Sequence, residues 1–262
     1  MRPGGPPAVD DEGARPLGES RREHTSKPLL EVRNLSKRFG GLSANEDVSF
    51  AVEAGDIIGL IGPNGAGKTT LFNCLAGYYA PSAGEIEFDG HVMSHLTPEG
   101  ATRRGIARTF QIVRTFASMS ALENVMVGAM LHHKRVAEAR SLAIETLSFA
   151  GLSARSAAAA GTMTVAEQKR LEVARALATR PKLLLLDEVM AGLNPTEIRE
   201  AVDLVLRIRD RGIACVIVEH VMEAIMPIAH RMVVLDAGRK IADGPPEAVA
   251  RDPAVIAAYL GA

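Results

Sequence analysis

Hydrophobic and polar residues alternate in three short segments near the start of the chain. A short strand followed by a turn is predicted for LLEVRNLSKRFGG. In the next segment, EDVSFAVEAGD, the side chains of Val48, Phe50 and Val52 share one face, as in a half-buried strand. The alternation returns in GEIEFDGH with Ile86 and Phe88, just before a DG dipeptide that is typical of hairpin turns. These segments predict a small antiparallel sheet.

Four other segments are short, continuous hydrophobic runs, namely IIGLI, LLLLD, ACVIVE and MVVLD. Such runs fit strands that are buried on both faces, as in a parallel sheet covered by helices. Helical patterns lie between the runs, so we predict an α/β core.

A different, purely helical pattern occupies residues 115–162. Ser120 and Glu123 have the spacing of a capping box, which begins a helix. The helical pattern continues through VAEARSLAIETLSFAG and stops at Gly151, a suitable C-terminal cap. We therefore predict an all-helical insert within the α/β core, at about residues 112–178.

Composition narrows the classes of protein that fit the chain. It has 262 residues, of which 47% are hydrophobic, and a formal net charge of -1, which argues against a mainly electrostatic nucleic-acid binder. No hydrophobic run approaches the length of a membrane span.

Residues 1–28 are rich in Pro, Gly and charge and lack the pattern of a secretory signal, so we predict a flexible arm. Residues 29–262 then form the folded domain. Cys74 and Cys215 lie in hydrophobic stretches and are expected to be buried.

The strongest chemical signal is GLIGPNGAGKTTLFN. Gly62, Gly67, Lys68 and Thr69 match the pattern G-x-x-x-x-G-K-[ST], with a hydrophobic strand before it and a helix after it. Glycines let successive backbone N–H groups point at phosphate oxygens, and the helix N-terminus adds favourable partial charge. Lys68 is expected to reach the β- and γ-phosphates, and Thr69 to bind Mg²⁺. The alternative is an ordinary glycine-rich turn, which would not need the strand before it, the helix after it and the Lys-Thr pair together.

Two acidic residues follow the predicted strand in LLLLDEVMAGLNP. Asp187 and Glu188 then lie at the carboxyl edge of the sheet, where open α/β sheets bind ligands. We expect Asp187 to hold Mg²⁺, through water, and Glu188 to act as general base for the attacking water. Taken alone, two acids at a strand end could be merely a solvated surface. Their pairing with the phosphate loop favours the functional interpretation.

The order of these motifs resembles the ATP-binding subunit of an ABC transporter, over about residues 29–262. The resemblance implies a P-loop NTPase (RecA-like) core with the small antiparallel subdomain and the helical subdomain inserted into it. By the same resemblance, Phe39 stacks on adenine, Gln111 links the core to the insert and helps to hold the metal ion, and His220 lies near the γ-phosphate. The segment AGLNP is expected to cross a dimer interface.

The predicted site residues fall into three groups. The nucleotide-binding residues are Phe39, Gly62, Pro63, Asn64, Gly65, Ala66, Gly67, Lys68, Thr69, Thr70, Gln111, Thr164, Ala166 and Glu167. The metal ligands are Thr69, Gln111 and Asp187, and the catalytic residues are Lys68, Glu188 and His220. The cofactors are ATP and Mg²⁺.

Several segments are similar, more narrowly, to ATPase subunits of branched-chain amino acid importers: FNCLAGYYAPSAGEI, GIARTFQIVRTF, DEVMAGLNP and VIAAYLGA. This resemblance implies a peripheral protein on the cytoplasmic face of the cell membrane that powers uptake of branched-chain or other hydrophobic amino acids. Relatives that serve amides or urea look similar.

The same resemblance implies a set of partners. They are a second ATPase subunit, identical or related, two membrane permease subunits and, indirectly, a periplasmic or extracellular solute-binding protein, with no nucleic acid. A permease helix is expected to dock near residues 111–119, which include Val113, Arg114 and Phe116.

One motif departs from the family pattern. Where the family usually has L-S-G-G-Q, this chain has MTVAE followed by Gln168. Thr164 still fits a helix N-cap, and Glu167 completes a capping box. Val165 and Ala166 add bulk where glycine allows close backbone approach. Glu167 places a negative charge near the phosphate unless it stays folded back on Thr164. The start of this helix either faces a phosphate across a dimer interface, with weakened contact, or has no ligand role. Val189 and Asn194 are smaller departures, in place of a common Pro and Asp.

Two alternative functions remain. One is a soluble ABC ATPase that acts on ribosomes or DNA, although this chain has a single phosphate loop, no heptad run and near-neutral charge. The other is a nucleotide-binding regulator with low turnover, which the altered signature suggests.

Overall fold

The computed structural model describes Met1 and residues 27–260. Most of the predicted flexible arm, residues 2–26, lies outside the described residues. The strands are β1 (Leu30–Phe39), β2 (Leu42–Val52), β3 (Ile57–Ile61), β4 (Ala83–Phe88), β5 (His91–Val92), β6 (Ile106–Arg108), β7 (Leu183–Asp187), β8 (Ala214–Val218), β9 (Arg231–Asp236) and β10 (Arg239–Gly244). The helices are α1 (Lys68–Leu75), α2 (Pro98–Arg104), α3 (Ala121–Ala129), α4 (Val136–Phe149), α5 (Val165–Leu177), α6 (Pro195–Asp210), α7 (Met222–Ile225), α8 (Pro246–Val249) and α9 (Pro253–Leu260).

The predicted antiparallel sheet is present as four strands in the order β2-β1-β4-β5. Val48, Phe50 and Val52 are buried on its inner face, as their alternation indicates. Between β4 and β5, Asp89 and Gly90 have φ values of +48° and +76°, which are the left-handed conformations of a two-residue hairpin turn.

The second sheet has six strands in the order β10-β9-β3-β8-β7-β6. The four predicted hydrophobic runs form β3, β7, β8 and β9, which pair in parallel, and every residue of β3, β7 and β8 is buried. The hydrophobic pattern did not predict β6, which has three residues, or the polar edge strand β10, which runs antiparallel to β9. The carboxyl ends of the parallel strands meet along one edge, where the phosphate loop also begins.

The helical insert lies between β6 and β7 and has its own hydrophobic cluster, built from α3, α4 and α5. The capping boxes at Ser120 and Thr164 are both present, and Gly151, with φ +72°, follows the end of α4 as predicted. Helices α3 and α5 approach closely at Gly128, where an added Cβ atom would lie 2.3 Å from the carbonyl oxygen of Arg175. A larger residue at this position would force the two helices apart.

Both cysteines are buried, as expected. Burial raises the pKa of the Cys74 thiol to about 11 and that of Cys215 to about 12, so both stay protonated and behave as small hydrophobic side chains. Across the described part of the chain, every helix is too short or too polar to cross a membrane.

Candidate functional site

The glycine-rich loop connects β3 to α1, and two of its glycines are required by the backbone. Gly62 has φ +148°, and a Cβ atom there would lie 2.0 Å from the carbonyl oxygen of Leu235. Gly67 has φ +97°, and its Cβ atom would lie 2.4 Å from the carbonyl oxygen of Ala44. The loop is therefore wrapped tightly against its neighbours, and only glycine fits at its two ends.

Lys68, the first residue of α1, folds back over this loop. Its Nζ donates to the carbonyl oxygens of Gly62, at 2.7 Å, and Pro63, at 3.0 Å. Burial lowers the pKa of Lys68, while the carboxylates of Glu188 and Asp187 oppose that shift. The positive charge is thus held at the mouth of the loop, next to the N-terminus of α1, where an anion would be stabilised.

A cleft of about 520 Å³ opens in front of the loop. Its walls come from the loop, from the carboxyl ends of β7 and β8, and from the small sheet. The predicted site residues that line it are Asn64, Gly65, Ala66, Gly67, Lys68, Thr69, Thr70, Gln111, Glu188 and His220. The structure therefore brings residues separated by more than a hundred positions in the chain to one cleft.

Glu188 lies between two other predicted site residues. Gln111 donates from Nε2 to its Oε2 at 3.0 Å, and His220 Nε2 lies 3.2 Å from its Oε1. Glu188 follows β7, and His220 lies just beyond the end of β8, the neighbouring parallel strand. Because the carboxyl ends of parallel neighbours meet at one edge of a sheet, the two side chains come together.

Asp187 is the last residue of β7 and is buried. Its Oδ2 accepts a hydrogen bond from Arg108 Nη2 at 3.0 Å, and its backbone N–H donates to the Thr109 hydroxyl at 3.0 Å. Burial raises the pKa of Asp187, and the Arg108 guanidinium opposes that shift. The ion pair with Arg108 thus offsets part of the cost of burying this carboxylate.

The three predicted metal ligands, Thr69, Gln111 and Asp187, line an adjoining cavity of about 340 Å³. Their oxygen donors suit a hard cation such as Mg²⁺. Within residues 27–260, no group of three or more His, Cys, Asp or Glu residues could hold a metal by itself. A cation at this position would therefore need further oxygen ligands from water or a bound phosphate, which is the usual coordination of Mg²⁺.

The sequence patterns missed Arg108. Besides its ion pair with Asp187, its Nη1 donates to Asn73 Oδ1 at 2.5 Å, and its guanidinium lies 5.1 Å from the ring centroid of Phe110 and 5.7 Å from that of Tyr78. It lies at the end of β6, the strand that was too short to be predicted. The signal that the sequence offered was its position, as a basic residue shortly before the predicted site residue Gln111.

Phe39 lies at the end of β1 and is 42% exposed. Its ring packs edge-to-face on Tyr79, with centroids 5.1 Å apart, and Lys37 Nζ lies 5.0 Å from its centroid. The side chain does not line the cleft in front of the loop. Its accessible face makes stacking on a flat ring system physically feasible, and the role stays a prediction.

The start of α5, the MTVAE position, does not line either cavity. Thr164 Oγ1 accepts the N–H of Glu167 at 3.2 Å, and Glu167 Oε2 accepts the N–H of Thr164 at 2.9 Å. The other oxygen of Glu167 lies 3.0 Å from Arg155 Nε. The carboxylate is therefore folded back on its own chain and forms an ion pair. The methyl group of Ala166 is buried, whereas Val165 is 58% exposed. At this helix start, the side chain of Val165 therefore adds bulk at the surface and that of Ala166 does not.

Two family models match the chain. The model described as "ABC transporter" matches residues 45–191, and the model described as "Branched-chain amino acid ATP-binding cassette transporter" matches residues 239–262. A high-affinity branched-chain amino acid transport ATP-binding protein of Pseudomonas aeruginosa is 40% identical over 252 residues, which cover 90% of this chain and 99% of that protein. A protein of the same description from Escherichia coli is 38% identical, with the same coverage.

Among solved structures, a nucleotide-free ATP-binding cassette from an ABC transporter is similar, with a TM-score of 0.83 and 29% sequence identity. The similarity covers 90% of this chain and 100% of that chain. The predicted fold class, a P-loop NTPase core with a small antiparallel sheet and a helical insert, is confirmed.

Proposed function

The chain belongs to the ABC transporter family of ATPases, and on that premise we propose that it is the ATP-hydrolysing subunit of an importer for branched-chain or other hydrophobic amino acids. The convergence of Lys68, Gln111, Glu188 and His220 on one cleft, in front of a complete phosphate loop, is the observation that carries the proposal. In this proposal residues 29–262 form one ABC domain, with the helical insert at about 112–178.

ATP would bind with its phosphates on the loop residues 62–70. The backbone N–H groups of the loop and the free N-terminus of α1 would surround the phosphates, and Lys68 would exchange its carbonyl partners for the β- and γ-phosphate oxygens. Phe39 would stack on the adenine ring from the small sheet. Mg²⁺, held by Thr69, Gln111 and Asp187, would supply neutralisation of charge on the phosphates.

Hydrolysis requires a positioned water and a group that accepts its proton. The Glu188 carboxylate faces the cleft and would take that role as general base. His220 and Gln111, which contact its two oxygens, would orient the carboxylate, and His220 would also lie near the γ-phosphate. The remaining catalysis is positioning and charge stabilisation, in which Lys68 takes the largest part.

A second ATPase subunit would complete the site. The start of α5 lies outside the cleft of its own chain, so a phosphate could meet such a helix only from another subunit. Two subunits, identical or related, would sandwich two ATP molecules, each between the phosphate loop of one subunit and the α5 helix of the other. ATP would hold the pair closed, and hydrolysis would let it open.

Two membrane permease subunits would convert this motion into transport, with the chain bound peripherally at the cytoplasmic face of the membrane. A cavity of about 290 Å³ lies between the core and the helical insert, and Tyr78, Phe110, Val127 and Leu131 are among its lining residues. Nearby, Ile112 is 80% exposed. We assign this region, with residues 111–119, to a cytoplasmic helix of the permease, and a solute-binding protein would deliver the amino acid on the other side.

The substrate class rests on the relatives, which are branched-chain amino acid transport ATP-binding proteins, and is tested by reconstitution. The chain, co-purified with its permease subunits in lipid vesicles, should hydrolyse ATP faster when a binding protein loaded with leucine, isoleucine or valine is added. Stimulation by amides or urea instead would change the substrate but keep the transport function. Absence of turnover in the assembled complex would favour a nucleotide-binding regulator, and co-purification with nucleic acid would favour the soluble alternative.

The docking surface is tested separately. Asp substitutions at Val113 or Phe116 should abolish coupling of ATPase to transport while ATP affinity stays unchanged, because both residues lie outside the cleft. Substitution of exposed Ile144 on α4 with Asp is the control. Full transport by the Val113 and Phe116 variants would show that the docking site lies elsewhere.

A further inference from the structure

The turn after β7, residues 188–191, carries the proposed base. Glu188 has φ +50°, in the left-handed region that a residue with a branched or long side chain rarely adopts. Such a conformation persists only when the surrounding structure holds it in place. The groups that hold this turn are therefore candidates for control of the base.

Two charged side chains from outside the turn hold its backbone. Lys169, on α5, donates from Nζ to the carbonyl oxygens of Glu188, at 2.8 Å, and Ala191, at 2.6 Å. Glu219, which directly follows β8 and is fully buried, accepts the N–H of Met190 at 2.6 Å through Oε1. Its other oxygen accepts the N–H of His220 at 3.3 Å. One buried carboxylate thus holds the backbone of Met190, in the turn that carries the proposed base, and the backbone of His220.

The charges around Lys169 are complementary. Burial lowers the pKa of Lys169, and the carboxylates of Glu219, Glu188 and Glu172 oppose that shift. Glu172, one turn further along α5, accepts the N–H of Arg114 at 3.2 Å, in the segment that follows Gln111. One helix therefore contacts both the turn that carries Glu188 and the segment that follows Gln111.

We infer that Lys169 and Glu219 are positioning residues for the Glu188 base, and that Lys169 couples this base to the position of α5 in the same chain. The inference rests on the proposed function, because it presumes that Glu188 activates water. Helix α5 begins at the MTVAE position, so a phosphate that contacts this start would move the carbonyl oxygens of Glu188 and Ala191 through the Lys169 ammonium. Glu219 would fix the opposite side of the turn.

The test compares two neighbouring positions on α5. Lys169→Met removes the contact with the turn, whereas Arg170→Met removes a contact of similar kind, the ion pair of Arg170 Nη1 with Glu200 Oε2 at 2.9 Å, which joins α5 to α6. Steady-state ATP hydrolysis is measured with Mg²⁺ on the chain assembled with its second ATPase subunit, and ATP affinity by calorimetry and the melting temperature are measured on the purified chain. Two further variants are compared. Lys169→Arg keeps the positive charge and the hydrogen-bond donors, and Glu219→Gln keeps an oxygen that can accept the N–H of Met190.

We expect Lys169→Met to lower kcat by about ten- to a hundredfold, with KM and ATP affinity within about twofold of wild type. The reason is that a base displaced by a fraction of an ångström is no longer correctly oriented towards the attacking water. Lys169→Arg should restore most of kcat, Glu219→Gln should reduce it less than Lys169→Met, and Arg170→Met should stay near wild type. A wild-type kcat for Lys169→Met would overturn the inference, as would equal losses in Lys169→Met and Arg170→Met. If Glu188→Gln itself hydrolyses ATP normally, the proposed base is wrong and this inference fails with it.

Discussion

Helices α1 and α5 both begin at points where we propose that phosphates bind, yet their first turns are built in opposite ways. Helix α1 has Gly67 as its N-cap, no side-chain cap and no acidic residue in the first turn. Helix α5 has a complete capping box formed by Thr164 and Glu167, which puts a carboxylate in the first turn. The free N–H groups of a helix start attract an anion only when the chain does not satisfy them itself. Helix α1 is therefore open to phosphate, and α5 is already closed by its own side chains.

The largest effect on ATP turnover is expected when the base beside the open helix is removed. Glu188→Gln should lower ATP turnover by about 10²- to 10⁴-fold, because the amide cannot accept the proton of the water, while ATP affinity is retained. In a heterodimer whose other subunit keeps glycines in its signature, the matching change in that subunit should cost much less. Its phosphate loop would face the closed start of α5, so its site would contribute little turnover.

The measurement is steady-state ATPase of the assembled pair with one variant subunit at a time, with Glu145→Gln, on the exposed face of α4, as the control. Equal losses from the two base substitutions in a confirmed heterodimer would contradict unequal sites. A functional homodimer would remove the premise, because both sites would then carry the same α5 helix.

A second test concerns ATP capture by α1. Lys68→Ala should weaken ATP binding by about a hundredfold, since one lost charge-assisted contact to the phosphates is worth about 3 kcal/mol. The fold should persist, because the Lys68 ammonium donates its hydrogen bonds to carbonyl oxygens of the loop that it covers. Calorimetry measures the affinity, and Lys182→Ala, which removes a surface ion pair with Asp89, is the control. Unchanged affinity would contradict the role assigned to Lys68.

Much of this comparison could be predicted from the sequence, because it depends on local patterns. The phosphate loop, the capping boxes at Ser120 and Thr164, and the buried strands are all encoded within a few residues of chain. The family resemblance is confirmed as well. Of the two placements that the sequence allows for the Glu167 carboxylate, near a phosphate or folded back on Thr164, the structure has the second, with Arg155 beside it.

The rest depends on contacts between distant residues, which no local pattern contains. Arg108 reaches Asp187 across 79 positions, from a strand of three residues. Glu219 reaches Met190 across 29 positions, and the sequence indicates only an acidic residue beside His220. Gly128 lies inside a helix, where its close approach to the backbone of Arg175 has no sequence signature. In each case the packing of the fold decides the role of the residue.

A smaller effect is expected from reopening the start of α5. Val165→Gly together with Glu167→Gln should raise turnover at the weaker site by about two- to fivefold, as expected for removal of up to about 1 kcal/mol of repulsion between the Glu167 carboxylate and a phosphate. Gln at position 167 can still complete the capping box, so the helix start is preserved. Ala166→Gly should add nothing, because the Ala166 side chain is buried and its loss only weakens packing. ATPase assays of the assembled pair measure the gain, and no gain, or a gain only with Ala166→Gly, would contradict this interpretation.

The smallest effect distinguishes a structural helix start from a ligand site at Thr164. Thr164→Ala removes the oxygen that accepts the N–H of Glu167 and should lower the free energy of unfolding by about 1 kcal/mol. Thr164→Ser keeps that oxygen and should be as stable as wild type or slightly more stable, because Ser ranks above Thr at N-cap positions. Denaturant titration of the full-length chain measures both variants, with the slope of the transition as a check that unfolding remains two-state. At α1 no such loss exists to be measured, because its N-cap is a glycine without a side chain. If Thr164→Ala leaves stability unchanged but weakens ATP turnover in the assembled pair, then the Thr164 hydroxyl serves a phosphate rather than its own helix, and α5 is as open as α1.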